Sequence, residues 1–242
     1  MTKAERIHIE KIIKAVGKAV NRYNMIKDRE TVAVALSGGK DSHVLLETLV
    51  LRKKHLPIDY TLHAVHVNIT NIPYEVDREH LESFCRSLDI PFHYRELEIE
   101  HTEQEALSPC FLCSWHRRKE LFRFCEEHRC GKLALGHHRD DIIETFFLNM
   151  LYQGSLSTMP PRLAVFDGKL EIIRPLALLA EDKIAEYARI RAFPPQKKEC
   201  PHGGDSRREA VRKIIDGMEQ LHGEARSTIF KAMTNIHGDY LP

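Results

Sequence analysis

Thr31-Val32-Ala33-Val34-Ala35-Leu36-Ser37-Gly38-Gly39-Lys40-Asp41-Ser42-His43-Val44-Leu45-Leu46-Glu47-Thr48-Leu49-Val50 decides the fold of this chain. An apolar run, a glycine pair and a second apolar run read as strand, turn and helix. A helix start presents unpaired backbone N–H groups and the positive end of its dipole. Gly38 and Gly39 let the backbone approach an anion closely, while Ser37, Lys40 and Ser42 add donors. The segment is therefore expected to hold a phosphate group. It is not the common P-loop, which places four residues between its first glycine and Gly-Lys-Ser/Thr.

Outward from this stretch the pattern repeats. Ile9, Ile12, Ile13, Val16 and Val20 recur at helical spacing and predict an amphipathic helix over 4–25. Strands are expected at 59–67 and 91–97, with a helix over 75–88 between them that carries Leu81, Phe84, Cys85 and Leu88 on one face. After Cys110-Phe111-Leu112-Cys113 comes a helix over 114–127, then a short buried strand at 132–136 and a helix over 140–152. Met159-Pro160-Pro161 breaks the pattern, a last strand is expected at 170–175, and 181–191, 207–221 and 227–235 read as helices. Strands alternating with helices imply an α/β fold, a parallel sheet with helices on both faces. The expected organisation is one domain over 1–242: an N-terminal helix in 1–28, an α/β core in 29–176 and a C-terminal helical extension in 177–242. Ligands of such sheets bind beyond the carboxyl ends of the strands. The glycine turns at Ser37 and Gly136 both lie at such ends and are expected to face one crevice.

Composition sets the outer bounds. The 242 residues carry 36 Lys and Arg against 35 Asp and Glu, a formal charge of +1, so global charge does not announce a nucleic-acid binder. The basic clusters Arg52-Lys53-Lys54, Arg117-Arg118-Lys119, Lys197-Lys198, Arg207-Arg208 and Arg212-Lys213 each read first as a solvated helix face. No apolar run has the length of a membrane span, and the start of the sequence lacks the apolar core of a secretory signal. Six cysteines in such a chain are expected to be thiols or metal ligands rather than a disulfide framework, which makes the cytoplasm the expected compartment.

Two further constellations carry chemistry. In Leu135-Gly136-His137-His138-Arg139-Asp140-Asp141, a strand end and a glycine precede two carboxylates at a helix start. Asp140 and Asp141 can hold Mg²⁺ beside a triphosphate, or merely cap the helix. His137, His138 or Arg139 could instead touch phosphate directly. The cysteines form the other group. Cys110 and Cys113 stand two residues apart, and Cys200 lies far along the chain beside Pro201-His202. A Cys-x-x-Cys serves as a redox dithiol, half of a zinc site with His202 as a further ligand, or part of an iron–sulfur site. Cys85, Cys125 and Cys130 fit buried structural positions. Trp115 could stack on a base, although a core position is the commoner outcome.

Ser37-Gly38-Gly39-Lys40-Asp41-Ser42 resembles the PP-loop signature, SGGxDS, of ATP pyrophosphatases, and Gly136 to Asp141 resembles the GHHxDD motif of PP-loop tRNA thiolases. With Asn24-Met25-Ile26, Cys110-x-x-Cys113, Arg117-Arg118, Leu148-Asn149-Met150, Met159-Pro160-Pro161 and Arg174-Pro175-Leu176, the chain is similar from about residue 12 onward to the TtcA family, tRNA 2-thiocytidine biosynthesis proteins. The resemblance implies an adenine-nucleotide α-hydrolase-like (Rossmann-like) fold and ATP-dependent thiolation of a tRNA cytidine, at position 32 in known members. It implies ATP on Ser37, Gly38, Gly39, Lys40, Asp41, Ser42, Gly136 and Asp140, catalytic roles for Lys40, Asp41 and Asp141, and Mg²⁺ on Asp141. It also implies a [4Fe-4S] cluster on Cys110, Cys113 and Cys200. Some members have a second cysteine three residues after the distant one, where this chain has Gly203. Arg117, Arg118 and Lys119 beside the cysteine pair would bind tRNA, and the sulfur donor would be a cysteine desulfurase or sulfide. The long N-terminal amphipathic helix admits a homodimer. The rival readings are a PP-loop tRNA-modifying or amidotransferase enzyme without sulfur chemistry, such as a lysidine-synthase-like ligase, and a zinc-stabilised nucleotide-dependent RNA-binding module.

Overall fold

The computed structural model describes every residue except 55, 73–75, 100–108, 195–205 and 241–242, and describes the backbone alone at 109, 110 and 206. The chain runs α1 (Lys3–Arg22), β1 (Glu30–Ala35), α2 (Lys40–Lys53), β2 (Tyr60–Ile69), α3 (Arg78–Ser87), β3 (Phe92–Leu97) and α4 (Pro109–Glu127). It continues with β4 (Lys132–Ala134), α5 (Arg139–Gln153), β5 (Arg162–Val165), β6 (Leu170–Ile173), α6 (Glu181–Ile190), α7 (Ser206–Leu221) and α8 (Ala225–Ala232). The strands lie in the order β3-β2-β1-β4-β6-β5. All neighbouring pairs are parallel except β5, which runs antiparallel along β6 with Arg162 opposite Ile173. The α/β expectation holds, and this antiparallel edge hairpin is its one amendment. The hairpin turn at Phe166-Asp167-Gly168 has positive φ at all three residues, and the first two carry no glycine signal in the sequence.

Alternation along β1 explains the layering. Val32 and Val34 face a core built with α1, α2, α3 and α6, whereas Ala33 faces a second core with Leu121, Phe124 and Cys125 of α4. A third cluster, Ile143 and Phe147 of α5 with Val211 and Ile215 of α7, sits apart from the sheet. Cys85, Cys125 and Cys130 are buried, as expected. The apolar face of α1 is not left over for a second copy. Ile9, Ile12, Val16, Ala19 and Val20 are buried in the chain's own core, which removes the argument for a homodimer made from that helix. Among the described residues no helix is long and apolar enough to cross a membrane.

Two ionic clusters fasten the layers. Glu47, buried in α2, accepts from the Tyr187 hydroxyl at 2.6 Å and from Arg191 Nε at 2.9 Å, so α6 is keyed to α2. At the opposite end of the sheet Glu171 of β6 pairs with Lys132 of β4 and Arg162 of β5, while Lys132 also lies 3.3 Å from Glu30 of β1. Replacing Glu47 by Gln keeps the shape but removes the charge that Arg191 faces. The expected cost is about 2 kcal/mol, read from the urea midpoint.

Hydrogen bonding from Arg162, with Lys132 adding to it, overrides burial and pulls the Glu171 carboxyl from 4.5 down to about 2. A carboxylate with a lowered folded-state pKa stabilises fully above its unfolded value, and that stability fades as pH falls toward the folded value. Between about pH 5 and about pH 3 the wild-type protein should therefore lose urea resistance more steeply than Glu171→Gln. Parallel slopes for the two proteins would assign the acid sensitivity elsewhere.

Candidate active site

The ladder of β1 extends one residue past the strand, where the Leu36 amide donates to the Val65 carbonyl at 2.9 Å. Buried His66 donates through Nδ1 to the Leu36 carbonyl at 2.7 Å, and burial lowers its pKa, so a neutral imidazole braces the last peptide before the loop. Gly38 then takes φ +89°, where a Cβ would meet Val76 Cγ1 at 2.7 Å. This position needs glycine for both conformation and space. The Ser37 hydroxyl donates to Ser42 Oγ at 3.2 Å, and the Ser42 hydroxyl donates to the Gly39 carbonyl at 2.9 Å, closing the loop on itself. Gly39 is the N-cap of α2 and supplies no side-chain cap. The first-turn N–H groups of α2 are thus presented at the carboxyl end of β1.

The second loop leaves β4, the neighbour of β1 on the side where the strand order reverses direction. That reversal is where open α/β sheets form their crevice. A Cβ on Gly136 would lie 3.2 Å from the Asp41 carbonyl carbon and 3.3 Å from the Ser42 nitrogen. The two loops touch through backbone, and the glycine permits it. His138 caps α5. Its backbone N–H donates to Asp141 Oδ2 at 2.9 Å, and its Nδ1 accepts from the Asp141 N–H at 3.4 Å. Asp140 is buried with both oxygens engaged, one by the Glu181 N–H at 2.7 Å and the other by Arg226 at 3.2 Å. Arg139 reaches the Ser227 hydroxyl at 3.1 Å.

Charge in the crevice is unevenly satisfied. The Lys40 ammonium lies 3.2 Å from Asp41 and 3.0 Å from Glu181; burial would lower its pKa, yet these carboxylates leave it raised. Asp41 is raised, chiefly by burial and further by the negative charge of Asp141, with Lys40 and His138 opposing. The carboxylates at the starts of α2 and α5 thus add a minor repulsion across the crevice, outweighed at Asp41 by Lys40, and a divalent cation would relieve it. Arg208 lies 3.8 Å from the other oxygen of Asp141. His137 is held neutral, at about 4, by burial and by Arg174, and its Nδ1 is buried without a hydrogen-bond partner. Arg174 is itself buried and lowered to about 10 by burial and by Arg118, and it donates to the Pro160 carbonyl at 2.5 Å.

Helix α4 carries the cysteine pair. It begins at Pro109, several residues before the expected start, so Cys110 and Cys113 lie in its opening turns and not ahead of it. Cys113 is half-buried, and Arg117 stands one helical turn later on the same face. Arg117 lines a small cavity of 70 Å³ together with Ser37, His66 and Leu121. Cys200 lies outside the described residues, as do Lys197, Lys198 and His202. The flank of α4 opposite β5 and β6 forms a cleft of about 1140 Å³. Arg118, Lys119, Arg123, Arg129 and Lys169 line it, with Trp115, Phe122 and Phe166 between them. Lys119 sits 5.3 Å over the Trp115 ring, and Trp115 is 46% exposed, so the core position expected for it is overturned. The cause is the register of α4, which turns Phe124 and not Trp115 onto the sheet.

The structure brings together Ser37, Gly38, Gly39, Lys40, Asp41, Ser42, Gly136 and Asp141. It separates the basic triplet, with Arg117 turned toward the phosphate loop and Arg118 and Lys119 toward the cleft. It gives Asp140 and His138 bracing roles. Sequence reading missed Glu181, whose amide donates to Asp140 and whose carboxylate accepts from Lys40, as well as His66, Arg174 and Arg208. No local signal marks Glu181 or His66, whose roles exist only after the chain folds. Arg174-Pro175 was visible as a motif without a role.

The chain matches the PP-loop domain family over residues 6–217. It is 39% identical over 233 residues to a protein of Francisella tularensis named tRNA-cytidine(32) 2-sulfurtransferase 1, covering 93% of this chain and 85% of that one. A tRNA-cytidine(32) 2-sulfurtransferase of Chromohalobacter salexigens is also 39% identical, over 235 residues, covering 94% and 81%. Among solved structures, the U34-tRNA thiolase NcsA from Methanococcus maripaludis with its [4Fe-4S] cluster is 26% identical with a TM-score of 0.79, covering 97% of this chain and 81% of that one. Two touching loops with an SGGxDS cradle, a helix-borne Cys-x-x-Cys and relatives of this similarity lead to one conclusion: the chain belongs to the PP-loop family and, within it, to the tRNA-cytidine(32) 2-sulfurtransferases.

Proposed function

We propose that the protein replaces the C2 oxygen of a cytidine, position 32 of tRNA, with sulfur at the expense of ATP. The cytosine C2 oxygen is a poor leaving group. Its attack on the α-phosphorus of ATP expels pyrophosphate and leaves an adenylate. A sulfur nucleophile then adds at C2, and AMP departs with the original oxygen. The observation that carries this reading is the position of α4. The helix that opens with Cys110 and Cys113 presents Arg117, one turn after Cys113, to the same cavity as Ser37 of the phosphate loop. That proximity supports a reading in which phosphate and sulfur chemistry meet on this side of the sheet.

The roles follow from charge. Ser37, Gly38, Gly39 and the first-turn amides of α2 would hold phosphate, and Lys40, released from Glu181, would neutralise it. Asp141, with Asp41 opposite, would hold Mg²⁺, which bridges phosphate oxygens. The mutual repulsion of these two carboxylates supports that assignment. Cys110, Cys113 and Cys200 would hold the [4Fe-4S] cluster, and thiolates at i and i+3 of a helix are suitably placed to share a ligand. With three protein ligands, a cluster supplies one iron open to an exogenous sulfur, delivered by a cysteine desulfurase or as sulfide. Arg118 and Arg174 extend the positive field from Asp141 to the basic cleft, where Trp115 and Phe166 offer faces on which unpaired bases can stack. The tRNA backbone would follow Lys119, Arg123, Arg129 and Lys169.

Nucleoside mass spectrometry of tRNA lacking the modification, incubated anaerobically with cluster-loaded protein, ATP, Mg²⁺ and sulfide, should reveal 2-thiocytidine. Asp141→Asn should lower its formation by roughly 100-fold or more. Gly136→Ala should lower it by about 10- to 100-fold by forcing the loops apart, with little change in tRNA affinity. No thiolated cytidine from fully loaded protein would falsify the function. Removing Lys119 and Lys169 together should weaken tRNA binding and reduce the slope of log affinity against log salt by about 0.7 to 0.9 per lysine. An unchanged slope would move the tRNA path off this cleft.

A further inference from the structure

We propose that His63, His93 and His128 form a binding site for a divalent metal ion of the zinc type, remote from the phosphate loop and the cysteine pair. His63 lies on β2, His93 on β3, and His128 in the turn that directly follows α4. One ring nitrogen from each lies within 4.8 Å of the others. His63 Nδ1 and His93 Nε2 are 3.1 Å apart. Tetrahedral zinc with nitrogen ligands at about 2.0–2.1 Å places them roughly 3.3–3.4 Å from one another. One pair therefore already stands at ligand spacing, and His128 closes the set by a modest side-chain rotation.

The surroundings suit a cation site. Phe124 forms an apolar wall, its ring 4.8 Å from His93 and 4.2 Å from His128. The nearby cation, Arg95, is already paired with Glu127. All three histidines are half-buried, which leaves an open side for entry and for water as a fourth ligand. An all-imidazole set favours zinc, copper or nickel over magnesium or calcium.

Position gives the site its purpose. His63 and His93 lie toward the entry ends of β2 and β3, whereas the phosphate loop lies past the exit end of β1. The 19 residues of α4 span about 28 Å between the turn of His128 and the turn of Cys110. A metal here would clip the far end of that helix to the sheet and fix the axis on which the cysteines are carried.

Protein equilibrated with excess Zn²⁺ and then desalted should retain one zinc per chain that His93→Ala and His128→Gln each lose, with iron content unchanged. Zinc should raise the melting temperature of the wild type and of neither variant. Cys113→Ala, which disturbs the cysteine site, should keep that zinc. The two histidine variants guard against a folding failure in either one. Equal zinc retention in wild type and both variants, or no retained zinc at all, overturns the proposal. So does loss of the zinc in Cys113→Ala alone. None of these readouts depends on thiolation activity, so this site and the proposed reaction stand or fall separately.

Discussion

Everything functional in this molecule depends on a contact made by backbone atoms. Gly136, at the end of β4, lies against Asp41 and Ser42 at the start of α2, at distances where any side chain would force the loops apart. Two strand ends that the sequence separates by about a hundred residues are thereby fused into one surface. The approach brings Asp41 and Asp141 near enough to feel each other's charge, with Lys40 beside the first and His138 and Arg208 beside the second. It also explains why so much else in the fold is bracing. Glu47 keys α6 to α2, the Glu181 amide then holds Asp140, and His138 caps the helix that starts beside it.

Helix α4 is the second organiser. One face packs Leu121, Phe124 and Cys125 onto the sheet, and another lines the basic cleft with Trp115, Arg118 and Lys119. Its opening turns carry Cys110 and Cys113. One rigid rod thus relates the cysteine pair, the phosphate loop and the basic cleft, and small rotations of it would alter all three together.

The strand–turn–helix at 31–50 and the alternation of later elements were legible because buried parallel strands and amphipathic helices leave periodic signatures. Hydrophobic periodicity found α1 and α6 to within a few residues. It missed β5, a four-residue edge strand whose half-exposed side chains leave little periodicity, although Asp167-Gly168 is a hairpin signal. The phosphate cradle was legible because Gly38 is needed for a backbone reason that any sequence must declare, a positive φ with no room for a Cβ. The division of labour between Asp140 and Asp141 was not. Both look alike at a helix start, and only the arrival of Glu181 and Arg226 from distant helices occupies the first and leaves the second. The triplet at 117–119 failed as a unit for the same reason: consecutive helical residues point about 100° apart, so no three of them share a surface.

The pairing of Lys40 with Glu181 has a further consequence. Before any nucleotide arrives, the cradle already holds a tethered counter-ion. Phosphate binding there is an ion exchange, and the incoming group must outcompete a carboxylate held at high local concentration. A group that engages the first-turn amides of α2 together with Lys40 competes best. Glu181 is thus a resident counter-ion that any group held by Lys40 has to replace.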